Sequence, residues 1–238
     1  MATIALADGS WQSSPANAAQ ASLRTRKSVS SLTADSPDIV ALKTAVAKMK
    51  DLPNTDGRNW LRQASIHGTF NGGFGRCQHG NWFFLPWHRA YLYFFEEIVR
   101  GLTGEEAFAL PYWDWTKDHS LPALFWGQNN PLANPPRAQQ PGSGRRPGLG
   151  PNTAFSADEI AQNIGQTVIS QILAGPDFET FGGLAVDMPG QRAGEGELES
   201  TPHNFIHNWV GGDMGTGGSP YDPIFWLHHS NVDRLWAE

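Results

Sequence analysis

The sequence predicts a mainly α protein, a bundle of helices joined by long irregular loops. Three observations lead there. Apolar residues recur at helical spacing in the longest patterned segments. Strand signals are weak throughout. The 26 glycines and 17 prolines punctuate the chain between helical stretches. At 238 residues and 39% apolar content the chain suits one domain with a substantial core. Residues 1–24 are small and polar and are expected to form a loose tail, which leaves 25–238 as the domain.

The elements follow in order. Ser36-Pro37-Asp38 reads as a helix start, with Ile39, Leu42, Val46 and Met49 on one face and Pro53 as the stop. A second helix is expected from Asp56 to about His67, with Trp60, Leu61 and Ala64 facing inward, before Asn71-Gly72-Gly73 breaks the pattern. Pro86 is suited to starting a third helix, which runs to about Gly101 and carries His88 on its first turn. LPYWDWTKD reads as an irregular aromatic segment, and the Pro/Gly/Arg-rich stretch from Gln128 to Pro151 as a surface loop. Ser156 opens a helix through about Leu173, Pro202 begins one bearing His203 and His207, and a last helix starts near Pro223.

The charge balance narrows the function classes. The net charge is −6 and no basic patch dominates, so nucleic acid is not an expected partner. No apolar run approaches the roughly 20 residues of a membrane span. The N-terminus lacks a basic region before its short apolar patch, which favours a cytoplasmic over a secreted location. A single cysteine excludes an internal disulfide framework and any CxxC zinc site.

The histidines carry the chemistry. Six of the eight fall into two sets: His67, His79 and His88 upstream, and His203 and His207 with one of the adjacent pair His228 and His229 downstream. His203 and His207 lie four apart on a helix, so both rings leave the same face. His228 and His229 diverge by about 100° around their helix, so one of them suits a given metal ion. A lone histidine among apolar residues is more often a hydrogen-bonded structural residue. The i,i+4 pair raises the metal reading. Residues 204–206 are Asn, Phe and Ile, so the glutamate of a zinc-protease HExxH is absent. All-imidazole ligation among aromatic side chains favours copper, with zinc second.

These residues carry a resemblance. His79-x8-His88-Arg89, with Leu92 and Glu96, resembles the copper A signature of the tyrosinase family. DPIFWLHHSNVD, Asp222 to Asp233, resembles its copper B signature. HNFIHNWVGG, from His203, resembles the segment with the other two copper B histidines, and LPYWDW at Leu110 is similar to a further family segment. The match spans about residues 26 to 238. It implies a four-helix bundle holding a dinuclear type-3 copper centre, with O2 as co-substrate.

Carried over by residue, the resemblance implies copper A on His67, His79 and His88, and copper B on His203, His207 and His229. The second member of the histidine pair is the ligand, which places His228 behind it. His119 matches no family role. Cys77, two residues before His79, resembles the cysteine that some members join to the histidine ring as a thioether. Trp82, Phe83, Phe84 and Trp87 read as core packing that keeps ligands rigid and water out, and Phe225 and Trp226 as the same beside copper B. Asp233 is expected to support a ligand or to pair with an arginine such as Arg89.

GELESTPHN resembles the family segment in which a glutamate, here Glu199, and the asparagine after the first copper B histidine, here Asn204, hold a water that helps deprotonate a phenol. A phenol with a pKa near 10 needs such help at neutral pH. The competing reading of Glu199 is a solvated carboxylate among Glu195 and Glu197. Asn208 is expected at the entrance. Gly217 and Gly218 stand where the family often carries a bulky gate residue, which suggests an open mouth.

The implied activity is a tyrosinase: ortho-hydroxylation of monophenols and oxidation of o-diphenols to o-quinones, with small phenols as partners. A catechol oxidase, an o-aminophenol oxidase and a haemocyanin-like oxygen-binding protein share the ligand set. A copper-delivery protein belongs among the expected partners, while the residues name no oligomeric state. The sequence stops at Glu238 inside its last helix, so truncation relative to the family is expected.

Overall fold

A 20-residue helix through the middle of the molecule organises the rest. The computed structural model describes residues 23–69, 73, 74, 76–135 and 149–238. Residues 1–22 of the expected tail and 136–148 of the expected loop lie outside the described residues.

Helix α1 spans Pro37–Asp51, with Pro37 at its first turn. Its face of Ile39, Leu42, Val46 and Met49 is fully buried, as the spacing predicts. Helix α2 spans Trp60–His67 and starts later than expected. The Asp56 carboxylate accepts from the Arg58 N–H at 2.8 Å and closes a turn there. Asn59 becomes the cap, accepting from the Leu61 and Arg62 N–H groups. The later start leaves Leu61 49% exposed, against the expectation that it faces inward. A two-residue antiparallel pair, β1 (Gly68–Thr69) and β2 (Gly73–Phe74), follows.

Helix α3 spans Phe84–Thr103 and begins two residues before Pro86. A proline inside the first turn costs nothing, because the first four N–H groups of a helix have no partner within it. The Asn81 side chain instead accepts from the Phe83 N–H at 2.8 Å and sets the entry. Gly104, at φ 74°, closes the helix. Helix α3 packs on α1 and on the last helix, α8 (Ile224–Ala237). Trp226 of α8 stacks on Phe95 of α3 with ring centroids 3.7 Å apart.

The segment at Leu110–Trp115 is irregular, as expected. Trp113 and Trp115 are fully buried, and the Tyr112 N–H donates to the Lys27 carbonyl at 2.9 Å. The flanks of the expected surface loop are anchored instead of solvated, because Leu132 and Leu149 insert into the core. The helix expected over 156–173 is divided. Ser156 caps α4 (Ala157–Glu159) in a reciprocal box with Glu159. A wide turn, Ile160–Ile164, then ends at extended Gly165 before α5 (Gln166–Leu173) and the short α6 (Phe178–Gly182). Pro202 does not begin its helix either. It lies inside a wide π-type turn, Glu199–His203, which runs into α7 (Asn204–Val210).

Among the described residues no helix is long and apolar enough to cross a membrane.

Candidate metal centre

The fold brings all six implied ligands, and His228, to one buried place. His67 ends α2, His79 sits in the loop before α3, and His88 lies in the first turns of α3. Their ring centroids are 5.1 to 5.6 Å apart. His203 closes the wide turn, His207 lies on α7 and His229 on α8. These three centroids are 4.5 to 5.4 Å apart. The two sets meet where His88 stacks on His229 at 4.3 Å.

The partner of each Nδ1 decides what its ring can offer. The Nδ1–H of His67 donates to the Gly217 carbonyl at 2.8 Å, that of His88 to Phe84 at 2.8 Å and that of His207 to Met214 at 2.7 Å. His203 Nδ1–H faces two acceptors, the Glu199 carbonyl and the Asn204 side-chain oxygen. A carbonyl only accepts, so each of these rings carries its proton on Nδ1 and keeps a lone pair on Nε2. The Nε2 atoms of His88 and His203 are buried without a hydrogen-bond partner among the described residues. Such orphaned lone pairs in a dry site are what a metal ion satisfies. His207 Nε2 and His229 Nε2 stand 3.3 Å apart. Two nitrogens at about 2.0–2.1 Å from one tetrahedral ion would be separated by about that distance.

His228 shows the opposite pattern. Its Nδ1 accepts from the Trp115 indole N–H at 3.2 Å. The proton of the neutral ring is therefore on Nε2, and Nδ1, which keeps the lone pair, is taken by Trp115. Distance alone admits His228 to the His203, His207 and His229 group, while its tautomer disfavours it as a ligand. Cys77 is buried and its sulfur lies within 4.8 Å of ligating atoms of both His67 and His79.

Burial sets the electrostatics. It pushes His67 down to about 3 and His207 to about 4, and it holds His79, His88, His203, His228 and His229 well below the usual histidine value. Neutral imidazoles are the ligating form. Burial also pushes Glu199 up to about 8, partly countered by the Gly80 N–H, which donates to both carboxylate oxygens at 3.0 Å. That close approach runs through Gly80, whose φ of +64° favours glycine and where a Cβ would stand 3.2 Å from Arg192.

A cavity of about 300 Å³ opens onto the rings of His67, His79, His203 and His207. Asn204, Asn208 and Gly217 line it, as expected. Gly218 is buried and is not part of the lining. Gly217 does more than leave space, because its carbonyl orients His67. The sequence reading missed Arg192, Met214 and Thr216 in this wall, and it treated Glu195 only as a rival to Glu199. Glu195 in fact accepts from the Asn204 amide at 2.9 Å and pairs with Arg192 at 3.2 Å. Glu199 lies outside that lining, fully buried behind the Gly80 backbone, so it is no solvated carboxylate.

Among the further placements, Trp82 and Phe83 differ from expectation and the others agree with it. Trp82 is 38% exposed and Phe83 is half-buried outside the core, whereas Phe84 is core and Trp87 packs against it and on the rings of His67 and His88, as expected. Phe225 is fully buried, 4.2 Å from His229 between ring centroids. Asp233 pairs with Arg89 and with Arg26 at 2.7 Å, and so ties α8 to α3 and to the N-terminal segment. His119 donates from Nε2 to the Thr116 carbonyl at 3.1 Å, a local bond.

Comparison with known proteins agrees with this geometry. The family model for the common central domain of tyrosinase matches residues 57–167 and 133–238. The chain is 34% identical over 255 residues to a tyrosinase of Hahella sp. (strain CCB-MM4), covering 90% of this chain and 53% of that protein. It is 34% identical over 230 residues to the chloroplastic polyphenol oxidase II of Ipomoea batatas, covering 85% of this chain and 39% of that protein. The structure of latent apple tyrosinase superposes with a TM-score of 0.72 at 30% identity, over 90% of this chain and 52% of that one. The chain thus spans about half or less of the length of these relatives, and the chloroplastic relative lends no support to a cytoplasmic location. Two sets of three histidine rings that meet at His88 and His229, four of them with Nδ1 bonded so that Nε2 is the ligating nitrogen, suit a type-3 dicopper centre, and the chain belongs to the tyrosinase family of copper proteins.

Proposed function

We propose that the protein is an O2-dependent phenol oxidase that hydroxylates monophenols ortho to the hydroxyl and oxidises o-diphenols to o-quinones. His67, His79 and His88 hold copper A, and His203, His207 and His229 hold copper B. The observation that carries this is the convergence of six histidine rings in one buried place, with the Nδ1–H groups of His67, His88 and His207 bonded to backbone carbonyls so that Nε2 is their ligating nitrogen. When bound, the copper pair supplies the O2 and electron-transfer chemistry.

The chain's own groups do the rest. The 300 Å³ cavity suits a single phenol ring, which enters past Asn208 and Gly217. Phe84 and Phe225 exclude water on the inner side. Glu199, at about 8, is closer in basicity to a phenol than an ordinary carboxylate and is better matched to take its proton. It reaches the phenol through a water that Asn204 also holds. Glu195, on the same asparagine, keeps that amide's orientation. Cys77 joins the His79 ring carbon as a thioether. That bond removes one hydrogen from the thiol and one from the ring, a two-electron oxidation with O2 as oxidant.

The test is oxygen consumption by copper-reconstituted protein with tyramine and then catechol. Turnover of both supports the proposal. Glu199→Gln should then lower monophenol turnover by at least about tenfold while sparing catechol. Catechol turnover alone reassigns the protein as a catechol oxidase and removes the role of Glu199. Turnover of neither, with reversible O2 binding, makes it an oxygen carrier.

A further inference from the structure

The misplaced tryptophan marks a second cavity beside the first. About 700 Å³ in volume, it is lined by Trp82, Asp187, Gln191 and Arg192 together with Ala185, Val186 and Ala193. Arg192 belongs to the walls of both cavities. The outer wall is fastened to the loop that carries His79. Ala193 and Gly194 N–H groups donate to the Gly80 carbonyl at 2.8 and 2.9 Å, and the Trp82 N–H donates to Leu184 at 3.0 Å. The Asn81 amide donates to the Gln191 carbonyl at 2.6 Å. A Cβ on Gly196, where this segment ends, would stand 2.4 Å from backbone atoms of Phe181 and Gly183, so the segment is packed as closely as backbone allows.

The chemistry of the lining selects its ligand. Trp113, Trp115 and Trp226 are fully buried, whereas the Trp82 indole is 38% exposed beside polar neighbours. An indole offers an apolar face for the C–H side of a saturated ring. A carboxylate, a carboxamide and a guanidinium offer planar acceptors and donors for its hydroxyls. Arg192 pairs with Glu195, and Asp187 also lines the cavity, so the wall carries no net positive charge to draw an anionic tail. Trp82, Ala185, Val186 and Ala193 supply apolar surface and Asp187, Gln191 and Arg192 supply polar groups, a mixed lining that suits a sugar better than a hydrocarbon tail.

We propose that this outer cavity is a subsite for a glycosyl tail on the phenolic substrate. The phenol ring occupies the inner cavity and the sugar passes Arg192 to stack on Trp82, with Asp187 and Gln191 on its hydroxyls. The placement of the phenol rests on the function proposed above.

The experiment compares 4-hydroxyphenyl β-glucoside with 4-methoxyphenol, which differ in the sugar. With the copper-loaded protein the glucoside should show the lower KM. Trp82→Ala and Asp187→Asn should each raise the glucoside KM about tenfold, a loss of about 1.4 kcal/mol, and leave 4-methoxyphenol within about twofold. Saturation-transfer NMR on the same protein reads the sugar protons directly and needs no turnover. Saturated sugar protons that are lost in Trp82→Ala support the subsite even where neither phenol is oxidised, in which case the oxidase reading falls alone. Equal KM values for both phenols, or equal losses on both in the variants, overturn the subsite.

Discussion

Removing the metal should make this protein acid-labile, by an amount that follows from its buried histidines. His207 is held at about 4 and His67 at about 3, against about 6.5 in an unfolded chain. Between pH 6.5 and 4 the unfolded chain binds more protons at both positions, so stability falls as the pH falls. Each site costs about 1.4 kcal/mol per pH unit, and the two together about 2.7. The other five buried histidines shift in the same direction and add to this. Glu199 acts oppositely. Its folded value of about 8 lies above its ordinary 4.5, so across that window the folded state binds the extra proton. It cancels about 1.4 kcal/mol per pH unit. The metal-free protein should therefore lose at least about 1.4 kcal/mol from pH 6 to pH 5, a large part of the roughly 5–15 kcal/mol available to a domain. Urea midpoints of chelator-treated protein at pH 7, 6 and 5 measure it. Glu199→Gln should steepen the loss. Copper-loaded protein should resist acid better, because protons must compete with the metal for the same nitrogens. A flat midpoint in the metal-free protein from pH 7 to 5 would refute the reasoning, since it would mean that the histidines titrate normally in the fold.

The tautomer argument predicts that His229→Gln halves the copper bound per chain, while His228→Gln leaves both ions in place, as read by metal analysis after dialysis. Trp226→Ala removes the ring stacked on Phe95 and should destabilise the fold by about 3–5 kcal/mol in urea melts. Asp233→Asn weakens the pairs to Arg89 and Arg26 and should cost about 1.5–3 kcal/mol, with the copper content unchanged. After exposure to copper and O2, the intact mass should be two hydrogens lighter than the sequence requires. Cys77→Ser should abolish that difference.

Much of the centre was legible in the sequence because histidine spacing on a helix is a local property. His203 and His207 share a face at four residues apart, whatever surrounds them. Helix α1 is legible for the same reason, since its buried face repeats at helical spacing. Errors arose where a side-chain bond outweighed pattern. The Asp56 turn delayed α2 and exposed Leu61, and Asn81 started α3 ahead of Pro86. Aromatic character alone misplaced Trp82, because burial depends on which loop packs above it.

The sequence by itself determined the mainly helical class, the two sets of three imidazoles and the family, since these lie in residue identity and short spacings. Only the tertiary structure decided which ring nitrogen His67 and His228 present. That choice belongs to partners far along the chain, the Gly217 carbonyl for His67 and the Trp115 indole for His228. It likewise decided that Glu199 is buried at the Gly80 backbone and that Glu195 and Arg192 stand at the mouth. Hydrogen-bond partners separated by a hundred residues or more leave no periodic trace in a sequence, because the folded chain alone brings them within reach.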